Sequence, residues 1–167
     1  MRLPRSPRFP PTFTQLPAIQ TQTISDKQSQ TPQVVDARRF GLFTYKTAAD
    51  VGDFRVDRYL PPTATNITLH KHAQGFRARY TISEAELMSY LDDLWARYGH
   101  ESVTERGQLS QGKDIGTETH RLAYGDLGWP YLPDAVEFHS PTAANGAGFS
   151  VWFSPSKQIA YEDAGYW

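Results

Sequence analysis

Between Asn66 and Ile82 the chain changes from apolar to polar side chains at almost every step. Ile67 and Leu69 alternate with Thr68, His70 and His72, and after Ala73-Gln74-Gly75 the residues Phe76, Ala78, Tyr80 and Ile82 alternate with Arg77, Arg79 and Thr81. A period of two belongs to a strand with one buried face, so the segment predicts an amphipathic β-hairpin. At Ser83 the period changes. Ser83-Glu84-Ala85-Glu86 has the spacing of a capping box, in which serine and glutamate satisfy each other's free backbone N–H groups. Leu87, Leu91, Leu94, Trp95 and Tyr98 then follow along one stripe of a 3.6-residue helix. Arg97 complements the helix dipole, and Gly99 is expected to end the helix in a left-handed conformation.

The flanking segments read mostly as strands. A first strand is expected over Phe40–Lys46 and a second over Phe54–Asp57, before Leu60-Pro61-Pro62 breaks the chain. Residues 100–117 are polar and glycine-containing and predict an exposed connection. A strand over Thr119–Tyr124 and a loop through Gly128-Trp129-Pro130 come next. Three further runs, Ala135–His139, Phe149–Phe153 and Gln158–Glu162, have Asn145-Gly146 in the loop before the second and the turn Ser154-Pro155-Ser156-Lys157 before the third. The expected fold is α+β: an antiparallel sheet made of a hairpin and a C-terminal meander, with one main helix packed on one face.

Composition adds a boundary and several exclusions. Residues 1–36 hold six of the twelve prolines and no glycine, and the only charges before Asp26 are Arg2, Arg5 and Arg8. Such a stretch buries too little apolar surface to offset its ordering entropy, so it is expected to be a disordered arm ahead of a single domain over 40–167. Its proline density also argues against the amphipathic helix of an organelle transit peptide. Seventeen Lys+Arg against eighteen Asp+Glu leave a formal charge of −1, which supplies no global attraction to nucleic acid or an anionic membrane. With no cysteine, disulfides, thiolate metal sites and a cysteine nucleophile are excluded. No run reaches the ~18–20 apolar residues of a membrane span, and the N-terminus lacks the apolar centre of a secretory signal, so the chain reads as soluble.

Leu60-Pro61-Pro62-Thr63-Ala64-Thr65-Asn66-Ile67, the alternating strands after it, and Ile82-Ser83-Glu84-Ala85-Glu86-Leu87 leading into an aromatic-rich helix resemble a group of uncharacterised bacterial domains. In that group a Leu-Pro-x-x-Ala-x-x-Ile segment opens a hairpin and a serine-capped helix follows. The resemblance covers residues 60–98 and extends loosely to the hairpin at Phe149–Tyr161. Several members look exported or lipid-anchored, which would imply a bacterial envelope location. It implies no chemistry.

Candidate chemistry concentrates in two places. His70 and His72 lie on one side of a strand at the spacing that metal sites on sheets use, but Arg77 and Arg79 are expected beside them and oppose a divalent cation. No acidic residue within the hairpin interrupts these four, so an anionic or phosphate-bearing ligand suits the face better than a metal. Glu118 and His120, expected on one face of a strand with Asp114 upstream, could pair a base with an orienting carboxylate, but no nucleophile is placed beside them. No Gly-x-Ser-x-Gly, His-Glu-x-x-His, Walker or Gly-x-Gly-x-x-Gly motif occurs. Asp92-Asp93 and Glu84/Glu86 read as solvated helix surface. Trp129, Tyr131, Trp152, Tyr161, Tyr166 and Trp167 crowd the last forty residues, and a surplus of aromatics marks a protein-binding patch. The expected function is a non-catalytic module that binds another protein or assembles into a larger complex, with Trp129, Trp152, Tyr166 and Trp167 as contacts. No cofactor, metal or nucleic acid is expected. The alternative is a small ligand-binding or hydrolase-like domain using His70, His72, Arg77 and Arg79.

Overall fold

A computed structural model describes residues 40–106 and 115–165. The arm expected over 1–36 lies outside the described residues, as do Asp114, Tyr166 and Trp167. The strands are β1 (Gly41–Thr47), β2 (Thr65–His72), β3 (Gly75–Thr81), β4 (Val136–His139), β5 (Gly148–Ser154) and β6 (Ile159–Gly165), and the helices are α1 (Phe54–Asp57), α2 (Glu84–Tyr98) and α3 (Thr117–Tyr124). All six strands join one antiparallel sheet in the order β1-β2-β3-β6-β5-β4. The fold is α+β, as the alternating and helical patterns predict.

Register assigns each side chain to a face, because cross-strand partners point the same way. Leu69 pairs with Ala78, Ala78 with Glu162, Glu162 with Val151 and Val151 with Phe138. These rows make the inner face, where α2 sets Leu87 and Leu91 against Ile67, Leu69, Tyr80, Phe149 and Phe153 in one core. Burying a leucine of this kind contributes roughly 1.5–3 kcal/mol. The helix begins as its sequence predicts: the amide of Glu86 donates to the Ser83 Oγ at 3.3 Å, and the Ser83 amide donates to the Glu86 carboxylate at 3.1 Å. Between β3 and β6 the backbones come so close that a Cβ on Gly75 would stand 1.9 Å from the carbonyl oxygen of Ala164, so only glycine fits there.

Four expectations are corrected. Phe54–Asp57 is a helical turn, since Asp53 caps it by accepting from the Arg55 amide at 3.1 Å and only Val56 is buried. Thr119–Tyr124 belongs to α3, because its buried groups, His120 and Tyr124, are four apart and Glu118 pairs with Arg121 three residues on. Gly99 is right-handed at φ −61°; the chain tightens into a 3-10 turn over Gly99–Glu101, and the glycine instead leaves room for the Trp95 ring, 3.0 Å from where its Cβ would be. Finally, the outer face is not bare. α3 and the segment after it cover its β5–β6 half through a second core of Tyr124, Trp129, Leu132, Trp152 and Tyr161.

Candidate functional site

α2 carries two stripes. Leu87 and Leu91 enter the core, whereas Tyr90, Leu94, Arg97 and Tyr98, spaced by four, three and one, line a cleft of about 780 Å³. The expected buried stripe therefore ends at Leu91: Leu94 and Trp95 are half-buried, and Tyr98 is 53% exposed. The segment from Ala48 to Pro62 and the loop Ser140–Ala147 supply the rest of the lining. Phe149 forms the floor, with Tyr90 stacked on it at 6.2 Å and 16° and Tyr59 edge-on at 6.2 Å and 76°.

Both loop walls are held by their own hydrogen bonds. The Phe149 amide donates to Ser140 Oγ at 2.8 Å, the Thr142 amide to Ser102 Oγ at 3.0 Å, and the Val103 amide to the Thr142 carbonyl at 2.9 Å. Ala143 and Ala147 close the loop tip at 2.9 Å. Across the cleft, Leu60 bonds back to Val56 at 2.9 Å and Ala48 to Ala64 at 3.1 Å. The Ser102 hydroxyl donates to Thr104 O and that of Ser140 to Pro141 O, so both hydroxyls are committed to backbone carbonyls. A groove held in this way loses little freedom when it is filled.

Four charged side chains stand on the walls: Asp57, Arg58, Arg97 and Glu101. Glu101 has His100 at 3.4 Å. Burial raises the Asp57 carboxyl above the ordinary aspartate range, and Asp53 adds to the shift. Arg58 and Arg97 have no ion-pair partner among the described residues. Under the floor, the Tyr80 hydroxyl donates to Glu162 Oε2 at 2.8 Å, and both side chains are fully buried. Burial pushes the Glu162 carboxyl well above its ordinary range; the Tyr80 hydrogen bond acts in the opposite direction and Asp163 adds to the rise. Burial and then the nearby Glu162 also keep the Tyr90 hydroxyl protonated.

The residues singled out by sequence lie elsewhere. His70 and His72 do come together on the open half of the outer face, with ring centroids 6.0 Å apart, and Arg77 is the cross-strand partner of His70. The face is not purely basic, however, because Asp126 and Asp163 reach Arg77 from outside the hairpin at 3.3 and 3.6 Å. Burial lowers the His72 pKa, Asp163 opposes this, and Arg77 and His70 reinforce it. Arg79 pairs across the sheet with Thr68 and Tyr161. Among the described residues, no three His, Asp or Glu side chains converge as a metal site. Glu118 and His120 do not share a face. Glu118 is exposed on its helix, whereas His120 is buried among Tyr124, Tyr131, Trp152 and Tyr161 at 5.5–6.4 Å. Trp129 and Trp152 are 6% and 7% exposed, so their rings pack in the second core and do not stand on an open contact patch.

The cleft residues escaped the sequence reading because they come from three segments distant in the chain. One signal was present: Tyr90, Leu94 and Tyr98 at steps of four make a second stripe beside the buried one. No family model matches the chain, nor does any curated protein or solved structure. No helix among the described residues is long and apolar enough to cross a membrane.

Proposed function

We propose that this chain is a non-catalytic protein-binding module whose recognition surface is the cleft between α2, the 48–62 segment and the 140–149 loop. The observation that carries this reading is the makeup of that cleft: Tyr59, Tyr90, Tyr98, Arg58 and Arg97 around Phe149, with no lysine in the lining. Tyrosine and arginine dominate the energetics of protein interfaces, and lysine is depleted there. A drug-sized molecule is usually engulfed over most of its surface. Here Tyr98 and the loop tip at Asn145 are exposed, which suits an extended segment with a side chain inserted towards Phe149. The fixed loop walls support the same reading, since recognition then spends little on ordering the site.

The test is selection from a displayed random-peptide library on the wild-type domain, run beside Leu94→Glu, which puts a charge into the cleft from a half-buried helix position. Peptides with an aromatic or branched aliphatic anchor are expected to be enriched by the wild type and to lose binding to the variant. Enrichment that persists unchanged on Leu94→Glu would move the binding surface elsewhere, and no enrichment would refute the reading.

A further inference from the structure

We propose that the occupant of the cleft is an acidic segment: an apolar or aromatic anchor over Phe149, flanked by carboxylates that pair with Arg58 and Arg97. This rests on the protein-binding reading above and adds the sign and spacing of the partner's charges. The two arginines line the cleft from different elements, one following α1 and the other on the last turn of α2, so carboxylates on either side of an anchor can each meet one. Each presents a planar fork of donors that fits a carboxylate in bidentate fashion. Three other arginines are engaged: Arg77 with Asp126 and Asp163, Arg106 with Asp92, and Arg121 with Glu118. Among the described residues Arg58 and Arg97 have no such partner, although Asp57 and Glu101 line the same cleft.

Those two acids do not cancel them. Glu101 is turned to His100. The Asp57 carboxyl is displaced upward by burial and by Asp53, and it forms no ion pair with Arg58 among the described residues. Both arginines are exposed and line the cleft, so their charges are within reach of a bound segment on either side of its anchor. A basic segment would meet the same two charges as repulsion, so the pair also discriminates by sign.

The test repeats the peptide selection on the wild type and on Arg58→Glu/Arg97→Glu. Both changes are at exposed positions, and an unchanged thermal midpoint verifies the fold. Wild-type winners are expected to carry Asp or Glu beside the anchor. A winning peptide should bind roughly three- to thirtyfold tighter than its Lys-for-Glu counterpart, and the margin should shrink in high salt. The double variant should enrich Lys or Arg at the same places. If anchors are enriched but the flanking charges are random, or the same on both proteins, this inference fails while the cleft remains a protein-binding site. If no anchored peptide is enriched at all, the protein-binding reading fails as well. If the wild type instead retains single-stranded oligothymidylate and the double variant does not, the arginines serve phosphate and the inference is overturned.

Discussion

Glu162 sits on β6 in the middle of the inner face, fully buried, with Tyr80 as hydrogen-bond donor and no hydrogen-bond partner for Oε1 among the described residues. Replacing it by glutamine keeps the shape and the oxygen that accepts from Tyr80 but cannot ionise. In the wild type, burial holds the carboxyl protonated in the folded state above the range in which the unfolded chain releases that proton. Over that interval the unfolded state binds fewer protons, so wild-type stability falls as pH rises, by about 1.4 kcal/mol per pH unit. The stability of Glu162→Gln relative to wild type should therefore climb as pH rises above the ordinary glutamate range, by up to about 1.4 kcal/mol per pH unit until the buried carboxyl itself ionises. Other groups titrate equally in both proteins and cancel in the difference. Urea unfolding followed by tryptophan fluorescence at three pH values gives this difference directly. Parallel stability curves for the two proteins would show that Glu162 is ionised in the fold, refuting the reasoning.

Three other expectations are open to simple measurement. Burial lowers the His120 pKa, against a hydrogen bond to the Pro130 backbone, so its stabilising contribution is present above the ordinary histidine value and is lost as pH falls through it; the thermal midpoint of His120→Phe should drop less than that of wild type between neutral and mildly acid pH, and equal drops would refute this. Lys71 and Asp53 form an ion pair with both side chains at least 96% buried, so Lys71→Met should cost about 3–5 kcal/mol in denaturant melts and Asp53→Asn/Lys71→Met distinctly less, because the stranded carboxylate is then gone. Ser83→Ala should cost about 1 kcal/mol by loss of the cap, and Leu91→Ala about 2–5 kcal/mol by opening a cavity, an order that reverses only if Leu91 does not face the core.

Sequence made the hairpin and α2 legible because in each a single strong period, two and then 3.6, coincides with burial, and because the Ser83–Glu86 cap forms as spaced. α3 was misread because eight residues hold only two buried groups, and Thr119 and Tyr124 favour a strand reading by type alone. Lys71 occupies an inward position of the hairpin's alternation, and Asp53 from before α1, which no local pattern ties to it, neutralises it there. The basic cluster was legible in position but not in charge, since Asp126 and Asp163 arrive from distant segments. The same holds for the cleft: Arg58, Arg97 and Phe149 carry no local motif, and only the tertiary arrangement gathers them.

The strand order has a consequence for how the chain is made. β6 is the sixth strand in sequence but occupies the interior of the sheet, between β3 and β5, so it joins β1-β2-β3 to β5-β4. The N-terminal hairpin can pair on emerging from a ribosome, but the Gly75–Gly165 and Thr81–Ile159 pairings wait until some eighty further residues have been synthesised. Until then β3 presents an unpaired edge of seven residues with Phe76 and Tyr80 uncovered on that side. Contacts of such long sequence separation put closure in the slower class of small-domain folding. The nascent N-terminal half is thus the stage most exposed to mispairing, and Arg77 and Arg79 on that edge supply the charge that discourages it.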